Sequence, residues 1–167
     1  LHSNNRFYRF LLSVCKLIQA SALVDPASGE YRFRDFVRDE RAMAKVFEDF
    51  LYNFIRLEIP TWEVRREYIA WQATSDSDPS LFLLPRMATD ISLRRGPQHV
   101  IIDAKYYERT MGEYFGAEKF HSGNLYQLMS YLSNTVRSEG SQLSGMLIYP
   151  QVGKAVKETY RIQGFEV

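Results

Sequence analysis

The sequence is poor in the residues that build the most easily recognised sites. Its 167 residues contain one cysteine, Cys15, and three histidines. A single cysteine cannot form a disulfide within the chain, and its apolar neighbours predict a buried free thiol in a reducing cytoplasm. Because there is no cluster of histidines and cysteines, the sequence gives no indication of a zinc site.

Long apolar runs are also missing, so we expect no segment to span a membrane. The start, RFYRFLLSVCKLIQASA, superficially resembles a secretory signal, but Lys16 interrupts the apolar run and the apolar residues recur at helical spacing. We therefore expect an amphipathic helix over about 4–22 in a cytoplasmic protein. Because residue 1 is leucine, we expect a fragment or a processed chain.

A strong excess of charge is absent too. The net charge of +1 neither requires nor excludes a polyanionic partner. Arginine outnumbers lysine by 15 to 6, which suits phosphate contacts but is also common on protein surfaces. A hydrophobic content of 46% and a charged content of 25% are typical of an ordinary globular domain.

The spacing of apolar residues predicts the element order α, α, β, β, β, α, β, β. A turn cluster, VDPASGE, separates the first helix from a second one that ends before Pro60. The short Gly96–Pro97 connection predicts a hairpin between two of the strands. After the first helix, the predicted elements are a helix over 36–58, strands over 62–73, 86–95 and 98–107, a loop over 108–121, a helix over 122–140 closed by Gly140, a strand over 144–150 and an edge strand over 157–167.

These elements predict an α/β fold with a mixed sheet flanked by helices. Three strands, a crossover helix and a further strand give its core the order α-β-β-β-α-β, with an extra N-terminal helix. We expect a helical arm over 1–35 and a single domain over 36–167.

Two acids and a lysine stand near the ends of the central predicted strands. Asp90 and Asp103 lie six residues before and after the Gly96–Pro97 turn, so hairpin pairing makes them cross-strand neighbours. Lys105 lies on the same face of its strand as Asp103. Like charges at this distance destabilise unless a cation neutralises them, and carboxylate oxygens favour Mg²⁺ or Mn²⁺ over Zn²⁺.

Taken alone, the D-x-K pattern is weak evidence for a site. Eight aspartates and six lysines in 167 residues give roughly 0.3 matches by chance. The alternative is a surface salt bridge on one strand face, which contributes little to stability. The apolar residues Val100, Ile101 and Ile102 directly before Asp103 favour a buried strand and hence a functional charge at its end.

The two predicted helices of the domain add polar residues to this end of the sheet. Gln127 and Tyr131 are four residues apart and share one helical face, although such a pair is as often a half-buried tyrosine beside an incidental glutamine. On the other helix, Glu48 borders the apolar stripe, whereas Asp49 lies on the solvent side.

Together, these residues resemble a nuclease family. Asp90, the run DAK that starts at Asp103 and the run QLMSY that starts at Gln127 look like the PD-(D/E)XK nuclease motif and the Q-x-x-x-Y signature of its RecB-like branch. More narrowly, IIDAKYY, FHSGNLYQLMSYL and FEDFLYNF are similar to the C-terminal nuclease region of the McrC family, the endonuclease subunits of McrBC 5-methylcytosine restriction systems. The resemblance covers about residues 36–150, and it departs from the motif at Thr89, where the motif has proline.

This resemblance implies a Mg²⁺-dependent DNA endonuclease, with Mn²⁺ as an alternative ion. Asp90 and Asp103 would bind the ion, with the carbonyl of Ala104 as a third ligand. Lys105 would orient or deprotonate the attacking water, or stabilise charge in the transition state. The implied catalytic residues are Asp90, Asp103, Lys105, Gln127, Tyr131 and Glu48. Glu48 is included because related nucleases often carry a metal-supporting acid on the first core helix; its alternative is a salt-bridged surface residue, and Glu40 is a weaker candidate.

The loop before the last predicted helix suggests a DNA contact. Helix N-termini attract phosphate, and we predict Ser122 as the N-cap, although a plain capping loop is an equal alternative. His99 has no evident partner in the sequence and is predicted to be structural. The predicted DNA-contacting residues are Arg109, Lys119, His121, Ser122 and Asn124.

The resemblance also implies partners. McrC proteins engage McrB, a GTP-driven AAA+ motor, through an N-terminal region that this chain is expected largely to lack. We therefore expect DNA and a McrB-like AAA+ GTPase as partners, and no membrane. The rival interpretations are a RecB-like repair exonuclease and an assembly module with a silenced nuclease fold.

Overall fold

The computed structural model describes residues 22–24, 31–33, 40–107, 112–114, 117–151 and 155–167. Contacts between Cα positions divide the chain into two compact units, Leu1–Met43 and Ala44–Val167. No helix in the described ranges is long and apolar enough to cross a membrane.

The first unit contains a short antiparallel hairpin. Its strands, β1 (Ala22–Val24) and β2 (Tyr31–Phe33), lie on either side of the turn cluster VDPASGE. The predicted helix over 4–22 lies outside the described residues, as does Cys15, except for Ala22, which is in a strand. The helical arm over 1–35 therefore stays a prediction.

The second predicted helix is confirmed as α1 (Glu40–Glu58), and the part of the prediction before Glu40 lies outside the described residues. Its apolar stripe buries Leu51 and partly buries Phe47 and Ile55 against one face of the sheet. The residues on that face are Ile91, Leu93, Ile102 and Ala104. The helix stops before Pro60, which cannot supply a backbone N–H to another helical turn.

The remaining elements form a six-stranded mixed sheet, a second helix and short hairpins, which confirms the predicted α/β fold with a mixed sheet. The elements after α1 are β3 (Glu63–Arg65), β4 (Tyr68–Ile69), β5 (Met87–Ala88), β6 (Ile91–Arg95), β7 (Gln98–Ala104), β8 (Gly112–Tyr114), β9 (Ala117–Lys119), α2 (Ser122–Asn134), β10 (Gln142–Ile148), β11 (Arg161–Ile162) and β12 (Phe165–Glu166). Along the main sheet the strands run in the order β11-β12-β10-β7-β6-β3.

The predicted hairpin is confirmed between β6 and β7. The two strands pair antiparallel from Arg95 opposite Gln98 to Ile91 opposite Ile102, so the connection is the pair Gly96–Pro97. Gly96 has a φ of 55°, which glycine adopts without the steric cost of a side chain. The turn therefore fixes the register that brings the two far ends of the hairpin together.

The helix α2 connects β7 to β10, which pairs with β7 in parallel. The helix buries Leu128, Tyr131 and Leu132 against the second face of the sheet. Gly145 on β10 allows this close approach, because a Cβ there would lie 2.9 Å from Leu132 Cδ1 and 3.0 Å from Leu128 Cδ2. Two separate apolar layers thus hold the central strands.

Several predicted boundaries are wrong, and in each case the chain turns where one continuous element was expected. The strand over 62–73 is split into β3 and β4, which belong to different sheets, and the strand over 86–95 breaks at Thr89 and Asp90. The helix predicted over 122–140 ends at Asn134, and Gly140 lies instead in a turn with a φ of 76°. The predicted loop over 108–121 contains the β8–β9 hairpin.

The predicted C-terminal edge strand is also a hairpin. β11 and β12 pair antiparallel around Gln163 and Gly164, whose φ values are 50° and 85°. Two successive positive φ values are typical of a two-residue hairpin turn, and the pattern of alternating side chains gave no sign of it.

Candidate active site

Asp90 and Asp103 meet at the far end of the β6–β7 hairpin. The strand pairing ends with Ile91 opposite Ile102, and Asp90 and Asp103 are the next residues of the two segments beyond that pair. Asp90 Oδ2 accepts a hydrogen bond of 2.7 Å from the backbone N–H of Ala104, which ties this carboxylate to the neighbouring strand. The predicted cross-strand neighbours are therefore neighbours in the structure.

Asp103 is the most buried charged residue of this group, with only 1% of its surface exposed. The ammonium of Lys105 forms an ion pair with its Oδ2 atom at 2.8 Å, whereas its Oδ1 atom has no hydrogen-bond partner among the described residues. The pKa of Asp103 is raised to about 6, chiefly by burial; Lys105 opposes this increase, and the charges of Asp90 and Glu48 make smaller contributions to it. This carboxylate therefore keeps unused acceptor capacity inside the protein, which is costly unless a cation uses it.

Lys105 is held from two sides. Its Nζ atom lies beside Asp103 and donates a 2.8 Å hydrogen bond to Gln127 Oε1. Burial alone would lower the pKa of Lys105, but the contact with Asp103 and the charge of Asp90 raise it above its ordinary value. The ion pair of the D-x-K pattern exists, but it is not the exposed pair of the alternative interpretation, because the Lys105 side chain is only 17% exposed.

Gln127 and Tyr131 project from one face of α2, as predicted. Gln127 Nε2 donates a 2.7 Å hydrogen bond to the hydroxyl of Tyr131, which is buried. Burial, together with the charges of Asp103 and Asp90, raises the pKa of the Tyr131 hydroxyl, so it stays protonated. We call the five residues Asp90, Asp103, Lys105, Gln127 and Tyr131 the Asp103 cluster.

Glu48 lies on α1 near this cluster without joining it. Its side chain is 26% exposed and its Oε2 atom lies 3.3 Å from Lys45 Nζ, so it makes the ion pair of the alternative interpretation. Its charge nevertheless raises the pKa of Asp103. Within the part of the chain that the structure describes, no group of three or more histidine, cysteine, aspartate or glutamate side chains is arranged to hold a metal ion. Glu40 is exposed at the start of the helix.

The donor set at the Asp103 cluster nevertheless fits Mg²⁺. This ion commonly keeps several waters and takes one or two protein carboxylates, with the remaining oxygens coming from the substrate. The open Oδ1 atom of Asp103, the nearby carboxylate of Asp90 and the adjacent carbonyl of Ala104 are of that kind. A third acid is not needed for such a site.

Two residues that sequence reasoning missed support Asp90. Arg66 Nε donates a 3.2 Å hydrogen bond to the Asp90 carbonyl, and its guanidinium pairs with Asp49, which was expected to be a purely solvated charge. Thr89 is buried, and its Oγ1 atom accepts a 3.0 Å hydrogen bond from the backbone N–H of Glu67. The threonine that replaces the motif's proline thus anchors the break in the chain directly before Asp90.

The residues predicted to contact DNA are in different situations. Lys119 is exposed at the end of β9, Ser122 is exposed at the start of α2, and Arg109 lies outside the described residues. The N-cap of α2 is His121 and not Ser122, and the His121 side chain makes no capping hydrogen bond. Asn124 is buried, with both ends of its amide bonded to tyrosine hydroxyls, so the structure does not support its predicted contact with phosphate.

A second polar group lies nearer the turn of the same hairpin, and we call its members Glu67, Ser92, Arg94 and His99 the Glu67 cluster. Ser92 and His99 are buried, Glu67 is partly buried and Arg94 is exposed. Ser92 Oγ donates to Glu67 Oε2 at 2.6 Å and lies 2.9 Å from His99 Nε2. The guanidinium of Arg94 donates to both Glu67 oxygens, at 3.3 and 3.2 Å. Burial and the charge of Arg94 lower the pKa of His99, so it is a neutral, structural histidine, as predicted.

Comparison with known proteins gives this geometry a family. A family model for the McrBC 5-methylcytosine restriction system component matches residues 1–150. Over 164 residues the chain is 46% identical to the type IV methyl-directed restriction enzyme EcoKMcrBC of Escherichia coli (strain K12), a match that covers 98% of this chain and 47% of that protein. The chain thus spans about half the length of the curated relative it matches. It belongs to the family of McrBC 5-methylcytosine restriction system components.

Proposed function

We propose that this chain is a PD-(D/E)XK nuclease domain that hydrolyses DNA phosphodiesters in a modification-dependent restriction system, with Mg²⁺ as its cofactor. The observation that carries the proposal is an unbroken series of polar contacts. Asp103 pairs with Lys105, Lys105 donates a hydrogen bond to Gln127, and Gln127 donates one to Tyr131. It joins the end of β7 to α2, and its acid, Asp103, has an Oδ1 atom without a hydrogen-bond partner among the described residues. An ion pair that served only to stabilise the fold would not need the further contacts with Gln127 and Tyr131.

Asp90 and Asp103 would hold the ion, with the carbonyl of Ala104 as a third oxygen. When bound, Mg²⁺ makes a water more acidic and offsets the charge that develops on the phosphate. Burial and the nearby charge of Asp90 destabilise the ionised form of Asp103. A bound Mg²⁺ would offset this destabilisation, because it would neutralise both carboxylates.

Lys105 would stabilise negative charge on the phosphate oxygens in the transition state. Its raised pKa keeps it a cation at neutral pH, which favours this role over that of a general base. Gln127 would hold the ammonium in place by accepting one of its protons, and Tyr131 would in turn orient the Gln127 amide. Glu48 would tune the electrostatics from the opposite helix without binding the ion directly.

DNA would reach this site along the start of α2 and the end of β9. Lys119 and Ser122 are the exposed residues of this proposed contact surface, and the partly exposed His121 lies between them in the sequence. Arg109 is also proposed to contact DNA, but it lies outside the described residues. Because nothing in the chain resembles a base-reading module, recognition of the modified base would come from elsewhere in the assembly. The partner we propose is a McrB-like AAA+ GTPase, in keeping with a relative named as a McrBC restriction enzyme.

The test is cleavage of covalently closed, supercoiled DNA with and without 5-methylcytosine. The chain would be assayed alone and, within a subunit that also carries the N-terminal region implied by the resemblance, with its GTPase partner and GTP. Each assay would contain Mg²⁺ or Mn²⁺ and would be repeated with EDTA. We expect the complete assembly to cut only methylated circles and EDTA to abolish cutting. Asp103→Asn should be inactive, and Asp76→Asn, a matched change in an exposed loop, should cut normally.

The rival functions give different results in the same assay. A repair exonuclease would leave closed circles intact and degrade the linear form, because a circle offers no ends. A silenced module would cut nothing under any condition, with the metal or without it. Either result would overturn the proposal.

A further inference from the structure

Three polar side chains meet at the start of α2, next to the Asp103 cluster. Asn124, which is only 6% exposed, accepts a 3.0 Å hydrogen bond from the hydroxyl of Tyr107 at its Oδ1 atom. Its Nδ2 atom donates a 3.1 Å hydrogen bond to the hydroxyl of Tyr149. We call Tyr107, Asn124 and Tyr149 the Asn124 bridge.

The Asn124 bridge ties together three segments that surround Lys105. Tyr107 comes two residues after Lys105, and Tyr149 directly follows β10. The backbone N–H of Lys105 itself donates a 2.9 Å hydrogen bond to the carbonyl of Ile148, the last residue of β10. The two tyrosines therefore leave neighbouring strand ends, and their hydroxyls converge on one amide of the helix.

This amide lies one helical turn before Gln127. A residue three positions away on an α-helix moves with it as part of the same rigid turn. The N-cap residue, His121, makes no side-chain capping hydrogen bond, although its ring packs 4.5 Å from that of Tyr107. The two hydrogen bonds of the Asn124 bridge thus connect the first turn of α2 to the ends of the neighbouring strands.

We propose that Asn124 is a positioning residue, which fixes the first turn of α2 so that Gln127 receives the ammonium of Lys105. This inference rests on the proposed nuclease function, because Asn124 would affect cleavage only through Gln127, whose role in holding Lys105 is part of that proposal. Asn124 touches neither DNA nor metal in this account. Its burial and its two hydrogen bonds explain why an asparagine is needed there: its amide can accept from one hydroxyl while it donates to the other.

The first arm of the test is a double-mutant cycle on single-turnover cleavage at saturating protein, in the complete active assembly. Asn124→Leu keeps the approximate volume and removes both hydrogen bonds. We expect it to slow cleavage by about 10–100-fold, the range found when residues that orient a site's ligands are lost. In a Gln127→Leu background the same change should slow cleavage less than about 3-fold, because the interaction that it acts through is already gone.

The matched control is Asn134→Leu, at the other end of the same helix. Asn134 is also bonded at both ends of its amide, to the N–H of Gln72 and the carbonyl of Ser130, and it lies outside the Asp103 cluster. We expect its effect on cleavage to be small and equal in both backgrounds. A fall of equal size for Asn124→Leu in both backgrounds, or no fall at all, would overturn the proposal.

The second arm needs no nuclease activity. In the metal-free chain, the side-chain amide signals of Gln127, followed by NMR, should move toward those of a solvent-exposed glutamine in Asn124→Leu and stay in place in Asn134→Leu. Tyr149→Phe removes only one hydroxyl and should shift them less, in the same direction, which keeps the test available if Asn124→Leu does not fold. Unmoved signals in the folded variants would overturn the positioning role. A shift in these signals, in a protein whose complete assembly cuts no DNA, would leave the positioning role standing and refute the nuclease.

Discussion

Two polar clusters lie along the β6–β7 hairpin, and they differ in how their acids are buried and satisfied. In the Glu67 cluster, the partly exposed carboxylate accepts hydrogen bonds from Ser92 and from Arg94 at both of its oxygens. In the Asp103 cluster, the buried acid pairs with Lys105 at Oδ2, whereas its Oδ1 atom has no hydrogen-bond partner among the described residues. An acid whose two oxygens are both satisfied by neighbouring side chains fits a structural role, whereas a buried acid with an open oxygen is a candidate for a functional one.

The pKa values follow the same division. Burial would raise the pKa of Glu67, but the hydrogen bonds from Ser92 and Arg94 bring it below its ordinary value. Burial raises the pKa of Asp103 to about 6, and its cationic neighbour does not compensate. Folding therefore favours the charged form of Glu67 and the protonated form of Asp103, so the two acids should respond to pH in opposite directions.

The largest expected effect is on the chemistry of the Asp103 cluster. Lys105→Ala removes no metal ligand, so Mg²⁺ and DNA should still bind. The rate of cleavage should fall by about two to three orders of magnitude, because about 3–4 kcal/mol of transition-state stabilisation is lost. Single-turnover cleavage at saturating protein measures this. The exposed Lys157→Ala is the matched control and should cut at the wild-type rate. Equal rates for Lys105→Ala and wild type would reduce the D-x-K pattern to a buried ion pair without a catalytic role.

The second effect concerns the pH dependence of stability in EDTA. The pKa of Asp103 rises from 3.8 in the unfolded chain to about 6 in the fold, so its contribution is most favourable below pH 4 and is lost as pH rises through 6. That change amounts to about 3 kcal/mol. Asp103→Asn cannot titrate, so the free energy of unfolding of the variant minus that of wild type should grow by this amount between pH 4 and 7. Urea unfolding at a series of pH values measures it, and a constant difference would contradict the burial argument.

The third effect has the opposite sign. Because the pKa of Glu67 is lowered, its contribution is present above the ordinary value of 4.5 and is lost as pH falls. Glu67→Gln should therefore destabilise the fold by about 1.5–3 kcal/mol at pH 7, which is typical of hydrogen bonds to a charged group. The loss should shrink toward pH 3, and DNA cleavage should change little. A Glu67→Gln variant that is as stable as wild type at pH 7 would remove the contrast between the clusters.

The smallest effect on stability is expected for Asp90→Asn. The asparagine can still accept from the N–H of Ala104, and removal of the like charge opposite Asp103 should stabilise the metal-free chain by about 0.2–1 kcal/mol. Mg²⁺ should bind more weakly, because one of the two carboxylates is gone. Calorimetric titration with Mg²⁺ and thermal unfolding in EDTA measure the two changes. Unchanged Mg²⁺ affinity would take Asp90 out of the metal site.

Local patterns predicted the parts of this fold that depend on local chemistry. The helix that ends at Pro60 and the Gly96–Pro97 hairpin are as predicted, since a proline and a short turn act on their own neighbours. From the register of this hairpin, the proximity of Asp90 to Asp103 could be predicted without any knowledge of tertiary contacts. The helical spacing of Gln127 and Tyr131 was correct for the same reason.

Predictions that depended on tertiary contacts were less accurate. The break at Thr89 is held by Glu67, a residue far away in sequence, so alternation alone could not reveal it. Asn124 looked like an exposed residue of a loop–helix junction, because nothing local shows that two tyrosine hydroxyls reach it. The guanidinium of Arg66 beside Asp49 is another such long-range pair.

The parallel pairing of β7 with β10 also affects the order in which the parts of the candidate site fold. The two aspartates need only a tight turn between their strands, whereas β10 and α2 must close a much longer loop before Gln127 reaches Lys105. Loop closure of that length is slower than hairpin formation. During synthesis, we expect the acids to be paired well before the ribosome has released Ile148, the last residue of β10. A nascent chain of this kind forms the pair of aspartates early and gains the contact between Lys105 and Gln127 late.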